Sequence, residues 1–362
     1  MLDSDIMLSL KMVIVTFLFG ICVTHVMKRV AHHIGAIDIP RADEGNRHIH
    51  KRPIPKLGGV AIFFAFLFGY MLYGQHSIKM NAILISSFII IFTGMIDDIN
   101  DLRASRQLLA QVVAAAIIVF YGKITLDDIT VFDLTVHFGM FKQLATIFFI
   151  VACINIINFT DGLDGLSGGV TSIFYITTAI ICFYQGRLGS LEMTLTLLML
   201  GSTMGFLVHN FYPAKIFAGQ CSMFMGFMIS IICLLGFKGT ALTSLFIPLA
   251  ILGLPILDTL FAIIRRSLKG EPIFKADKFH IHHQLLGMNF SHPVTVLIIY
   301  FINILFALTS IFYVLKDAKA ATVIYTILLI IVVWFVCYTN VITDKKPPHL
   351  SEIKEKVLKK KK

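Results

Sequence analysis

Residues 80–103 read MNAILISSFIIIFTGMIDDINDLR, an uncharged apolar run that ends abruptly in three carboxylates, Asp97, Asp98 and Asp101. About 20 mostly apolar residues are what a helix needs to cross about 30 Å of hydrocarbon. Carboxylates placed just where such a helix leaves the bilayer repel one another and are costly to desolvate. Read alone, they are either a solvated helix end or a place where a cation or a basic group is held.

The apolar pattern recurs along the chain. Eleven candidate spans fall at about residues 6–27, 57–74, 80–96, 107–122, 142–158, 165–184, 190–210, 221–237, 239–264, 293–315 and 321–341. Composition agrees, with 57% hydrophobic residues, 14% charged residues and a mean hydropathy of +0.84, outside the range of soluble domains. The expected fold is an all-α integral membrane bundle of about 11 transmembrane helices (residues 1–341), followed by a basic tail (342–362). The first apolar run, Ile6 to Met27, is too long for a signal-peptide core and reads as a span. Six cysteines lie within or at the ends of apolar runs and form no CxxC pair, so reduced, packed thiols are expected. Between spans, Ile124, Leu126, Ile129, Val131, Leu134 and Val136 alternate with Asp and Thr, which suits a small hairpin.

A net charge of +10 would suggest nucleic acid in a soluble protein. Here the Lys and Arg residues concentrate in alternate loops, in roughly threefold excess on the side that holds the C-terminus. That bias makes this side cytoplasmic, with the N-terminus outside, the C-terminus inside and no nucleic-acid partner implied. The cytoplasmic loops are then about 28–56, 97–106, 159–164, 211–220, 265–292 and 342–362, the last ending in KVLKKKK, suited to anionic headgroups of the lipid bilayer.

Nearly every chemically interesting residue falls in these loops. NIINFTDGLDGLSGG (155–169) sets Asn155, Asn158, Asp161 and Asp164 three apart among glycines. Glycine permits close backbone approach, while Asn and Asp supply hydrogen bonds to a nucleotide or oxygens to magnesium; an ordinary Gly-rich turn is the alternative. HNFYPAKIFAGQCSMF (209–224) holds Asn210, Lys215 and Gln220, and FKADKFHIHHQLL (274–286) holds Lys275, Asp277, Lys278, His280, His282 and His283. Histidines near lysines suit a pyrophosphate or its developing charge, although an HxHH alone could equally be an interfacial cluster. RHIHKRPIPKLGG (47–59) adds His48, His50, Lys51, Arg52 and Lys56, held extended by Pro53 and Pro55. Five separate segments thus deliver their polar groups to one membrane face.

The ordered set RHIHKRPIPKLGG, GMIDD, NIINFTDGLDGL, NFYPAKIF and KADKFHIHHQLL, spread over about residues 10–345, resembles the polyprenyl-phosphate N-acetylhexosamine-1-phosphate transferases (glycosyltransferase 4 family). HIHH is similar to the branch that starts wall teichoic acid and O-antigen, whereas the phospho-MurNAc-pentapeptide transferases carry a run of consecutive histidines. The resemblance implies transfer of GlcNAc-1-phosphate from UDP-GlcNAc to undecaprenyl phosphate, releasing UMP, at the cytoplasmic face of a bacterial plasma membrane. Magnesium is the implied cofactor, with manganese as an alternative ion. It also implies Asp97, Asp98, His280, His282 and His283 as catalytic residues and Asp97 and Asp98 as metal ligands. Lys51, Arg52, Asn158, Asp161, Asp164 and Asn210 are implied as substrate-binding residues. Such a reaction needs mainly positioning and charge neutralisation.

One departure stands out. After PAKIF the family reads GDSGS or GDTGS, whereas this chain reads Gly219, Gln220, Cys221, Ser222, one residue shorter and without the acid expected at 220 as a magnesium ligand. A neutral amide there implies weaker metal binding, a weakened or inactive homologue, a metal site rearranged onto Asp97, Asp98, Asp161 or Asp164, or a locally altered sequence. A secondary transporter would need ionisable groups near the bilayer midplane and usually a repeat, and neither is found. A silent scaffold would bind the donor without turnover. The amino sugar and a homodimer are left open.

Overall fold

The computed structural model describes residues 2–38, 53–131, 134–236, 251–268, 270, 280–315 and 318–338. Its helices are α1 (Leu2–Ile34), α2 (Gly58–Tyr73), α3 (Ile78–Asn100), α4 (Ala104–Ala116), which a π-helical turn (Ile117–Tyr121) extends, α5 (Lys142–Thr160), α6 (Leu166–Tyr184), α7 (Leu191–Asn210), α8 (Met223–Gly236), α9 (Gly253–Leu268), α10 (Ile281–Gly287), α11 (His292–Leu315) and α12 (Ala318–Tyr338). Among the described residues, nine helical segments are long and apolar enough to cross a membrane, and α2 is a shorter apolar helix. The protein is an all-α integral membrane protein. The expected span at 239–264 begins outside the described residues; its described part is α9, whose last turn carries Arg265 and Arg266. The basic tail lies outside them too.

Local chemistry sets where helices begin and end. Ser77 and Ser190 accept from Met80 N (3.1 Å) and Met193 N (3.3 Å) at the starts of α3 and α7, satisfying amides that have no intrahelical partner. α3 stops at Asp101, whose φ of 43° is left-handed. The alternating segment before α5 forms the expected hairpin, β3 (Asp128–Val131) pairing antiparallel with β4 (Leu134–His137). A second small pair, β1 (Ile37–Asp38) with β2 (Ile54–Pro55), brackets the first basic loop.

α8 sits at the centre. With its preceding turn it has most of its residues buried, whereas few are buried in α1 and α12, which face outward. An all-round apolar sequence, MFMGFMISIICLLG, suits a helix enclosed on every side. Small residues set the closest crossings: a Cβ on Gly226 would lie 2.6 Å from Cys153 O of α5, and one on Gly205 2.6 Å from Phe17 O of α1. Cys221 wedges between Gly59 and Gly94, where added Cβ atoms would come within 2.5 Å and 3.0 Å of it. Cys153, Cys182, Cys221 and Cys233 are buried free thiols as expected. Cys22 is not, because it lies on the outward side of peripheral α1 and is exposed.

Gly226→Val should therefore force α5 and α8 apart and cost about 1–3 kcal/mol or more. Thermal unfolding of the purified protein in detergent should show a lowered Tm; an unchanged Tm would contradict the close crossing.

Candidate active site

Backbone pairing first brings two distant segments together. Phe217 N donates to Pro55 O (2.8 Å), Gly58 N to Phe217 O (2.7 Å) and Gly59 N to Ala218 O (3.1 Å), so residues 55–59 run beside 217–218. Gly219 then turns with φ +67°. A Cβ there would lie 2.4 Å from Lys56 O and 2.5 Å from Asp98 Oδ2, so only glycine lets the end of α3 and these two segments meet. Beyond the turn, Gln220 N donates to both carboxylate oxygens of Asp98 at 3.1 Å.

Asp97 and Asp98 are both buried, yet the helix aims adjacent side chains in different directions. Asp97 caps its own helix end by accepting from Leu102 N, while Asp98 faces the 219–220 turn. Asn158, at the end of α5, donates to Gln220 Oε1 (3.2 Å) and accepts from Ser222 Oγ (2.8 Å). Lys56 Nζ pairs with Asp38 at 3.2 Å.

The 161–165 loop joins this cluster from the other side of Asn158. Asp161 accepts from Ser167 Oγ at 2.5 Å, and desolvation pushes its carboxyl up to about 7. Asp164 is 1% exposed; its Oδ2 accepts from Ala214 N (2.9 Å) and its amide donates to His292 Nε2 (3.2 Å). Asn210, fully buried, accepts from Gly165 N (3.0 Å) and donates to Ile216 O (2.9 Å), while the Tyr300 hydroxyl donates to Gly165 O. Asp164 and Asn210, expected to bind substrate, thus use these atoms to hold the loop.

The HIHH helix packs on that loop. A Cβ on Gly162 would lie 2.5 Å from His282 Nε2, so glycine admits the imidazole. His282 stacks parallel to His280 at 5.7 Å, with His283 at 4.3 Å. Burial, reinforced by the neighbouring histidines, lowers the His282 pKa well below its ordinary value and favours the neutral ring. Phe159 lies 6.2 Å from His280, and the Arg266 guanidinium sits 5.9 Å over Phe159. Segments read separately in the sequence, from 55–59, α3, 158–164, 210–222 and 280–283, are therefore contiguous. Lys51 and Arg52 lie outside the described residues, as do His48, His50, Lys275, Asp277 and Lys278.

Other participants were not singled out by sequence. Ser167, Ser222, Tyr300 and His292, the last stacked on Tyr212 at 4.8 Å, carry no local pattern that marks them. Asp258 does: it is the lone charge in LGLPILDTLFAII (252–264), and an ionisable residue in a membrane run is itself a pointer to function.

Magnesium demands near-octahedral oxygen coordination. Asp97 caps its helix, Asp98 accepts an amide with both oxygens, Asp161 is bonded to Ser167, and the neutral Gln220 oxygen already accepts from Asn158. Among the described residues, no three His, Cys, Asp or Glu are placed to hold a metal ion. Among the described residues these donors, as they stand, do not assemble the octahedral oxygen site that the implied magnesium needs.

The sequence signature of Glycosyl transferase family 4 matches residues 80–237, the stretch that carries Asp97, Asp98, the 158–164 loop and Gln220. A probable undecaprenyl-phosphate N-acetylglucosaminyl 1-phosphate transferase of Bacillus subtilis (strain 168) is 40% identical over 337 residues, 92% of each chain. The chain belongs to glycosyl transferase family 4. Two further family relatives are more distant. A decaprenyl-phosphate N-acetylglucosaminephosphotransferase of Mycobacterium tuberculosis (strain ATCC 25618 / H37Rv) is 31% identical, covering 81% of this chain and 80% of the relative. An undecaprenyl-phosphate alpha-N-acetylglucosaminyl 1-phosphate transferase of Salmonella typhimurium is 27% identical, with 78% of each covered. This family 4 member is accordingly a membrane-embedded phosphoglycosyltransferase.

Asn210→Ala would leave Gly165 N and Ile216 O buried without their partner, at about 1–3 kcal/mol for each group. The expected result is a clearly lowered Tm in detergent. An unchanged Tm with lost donor binding would return Asn210 to a direct substrate role.

Proposed function

We propose that this chain transfers GlcNAc-1-phosphate from UDP-GlcNAc to undecaprenyl phosphate, giving undecaprenyl-diphosphate-GlcNAc and UMP, as the first membrane step of teichoic acid or another cell-surface polysaccharide. The observation that carries this reading is the contiguity of Asp98, the 158–164 loop and the HIHH helix at one end of a membrane bundle. One substrate is water-soluble and the other has its phosphate at headgroup depth, so both reach only such a boundary site. The relatives' names support the same chemistry. The Lys and Arg bias supports a cytoplasmic active face in a bacterial plasma membrane.

In this reaction an oxygen of the lipid phosphate forms a bond to the phosphorus that carries the sugar. The bond from that phosphorus to the bridging oxygen breaks, and UMP leaves with that oxygen. The protein's task is to align the two phosphates and offset their charge. Asn158 and Asp161 lie where the nucleotide end would be bound. His280, His282 and His283 line the diphosphate: His282, which burial keeps neutral, donates a hydrogen bond to a phosphate oxygen, and His280, whose Nδ1 faces Asp258, donates from Nε2 only as the imidazolium. Lys51 and Arg52 supply positive charge from the basic loop. Asp97 and Asp98 form the acidic side, with both oxygens of Asp98 accepting from Gln220 N. No step is assigned to magnesium or manganese, because the ligand set does not fit them.

Gln220 favours a second reading, a donor-binding homologue that turns over slowly. Purified protein in nanodiscs should release UMP from UDP-GlcNAc and undecaprenyl phosphate, and faster than from UDP-GalNAc or a UDP-muropeptide. In the same assay Gln220→Asp, which returns a carboxylate oxygen to the turn beside Asp98, should make UMP release faster and more steeply dependent on added magnesium. Release from both, with wild type much the slower, would establish the slow homologue; release only from the substituted protein would show that Gln220 silences the chain; release from neither would sink the transferase reading.

A further inference from the structure

We infer that Asp258 is a positioning residue that fixes which nitrogen of His280 carries the proton, and so what that imidazole presents to the diphosphate; the second half of this statement rests on the function proposed above. Asp258 lies in α9, in the middle of the apolar run, and is 13% exposed. One of its oxygens, Oδ2, is 2.9 Å from His280 Nδ1, and the other, Oδ1, accepts from Ile281 N at 2.8 Å. A single carboxylate therefore holds both the ring of His280 and the first amide of the HIHH helix.

The two bonds have different consequences. Ile281 N is a backbone amide and can only donate, so Oδ1 caps α10, where His280, the residue just before the helix, makes no side-chain cap of its own. The imidazole can present either a donor or an acceptor at Nδ1, and which one is set by its partner. An ionised carboxylate offers only acceptors, so Nδ1 carries hydrogen and Nε2 is the acceptor of the neutral ring or the second donor of the imidazolium. The same carboxylate stabilises the imidazolium as negative charge approaches. His280 lies beside the site: its ring is parallel to that of His282, which abuts Gly162, and it is 6.2 Å from Phe159, next to Asn158.

The arrangement makes an amide substitution unusually informative. In Asp258→Asn the single carbonyl oxygen satisfies Ile281 N, which cannot change role, and the NH2 group is left facing Nδ1. That nitrogen must then become an acceptor, and the proton moves to Nε2. Shape, helix cap and burial are preserved while the tautomer is reversed.

The test has two arms. In the first, 15N-histidine spectra of the protein in nanodiscs are recorded, with the His280 signals assigned by their loss in His280→Gln. Wild type should show hydrogen on Nδ1, and Asp258→Asn should show it on Nε2 with an unchanged Tm. In the second, UMP release is measured for Asp258→Asn, His280→Gln and the pair. Asp258→Asn should lower kcat by about tenfold or more with a smaller change in KM for UDP-GlcNAc, and the double variant should be no worse than His280→Gln alone. Hydrogen on Nε2 and not on Nδ1 in wild type, an unmoved proton in Asp258→Asn, or losses that multiply in the double variant would overturn the inference. No UMP release from wild type would overturn the proposed reaction, while the spectra would still decide the tautomer.

Discussion

Asp98 and Gln220 are 122 positions apart in the chain, yet the carboxylate of one accepts the amide of the other at 3.1 Å. The contact follows from the membrane as solvent. With no water in the hydrocarbon to satisfy polar groups, a carboxylate at the end of an apolar helix is tolerable only where the rest of the chain brings donors to it. Gly219 makes that approach possible, since any side chain there would strike both Lys56 O and Asp98. The central helix α8 starts immediately beyond the turn. The most enclosed helix of the bundle and the acidic end of the site are therefore placed by the same few residues.

From this anchor the polar groups extend outward in a continuous network. Asn158 links Gln220 to Ser222, and the following loop is held by Asn210, His292, Tyr300 and Ala214 N before it meets His282 across Gly162. Such networks rigidify a site when their members are satisfied. Asp164 and Asn210 belong to this scaffold: their buried atoms shape the loop that would carry the nucleotide. The change at residue 220 is absorbed within it, because the glutamine oxygen finds a donor in Asn158 and its backbone amide finds Asp98. The outcome is a well-built site with one fewer negative charge than the family pattern implies.

Much of this was legible in the sequence, for identifiable physical reasons. Apolar runs of membrane length located the helices because hydrocarbon thickness dictates length, and the alternation before residue 137 gave the hairpin because strands expose alternate sides. Asp97, Asp98, Asp161, His280, His282 and His283 stood out as polar groups at the ends of apolar runs. Other features were hidden because they depend on contacts across the fold. Nothing local distinguishes Asp97, which caps its own helix, from Asp98, which reaches the 219–220 turn. The structural use of Asn210 depends on Gly165 and Ile216, and His292 acquires its place from Asp164, 128 positions away. Cys22 was read as packed because it sits in an apolar run, but an outward-facing membrane helix is apolar on its lipid side too.

If the proposed reaction holds, groups from these distant segments share one ligand at a single end of the bundle. Electron cryomicroscopy of the protein in lipid nanodiscs with UDP-GlcNAc tests it most directly. One nucleotide density is expected, with its diphosphate between the HIHH helix and the Asp98–Gln220 turn and its uridine toward Asn158 and Asp161, on the membrane side that carries the basic loops. A nucleotide bound away from these residues, or the HIHH helix and Asp98 on opposite membrane faces, would contradict it.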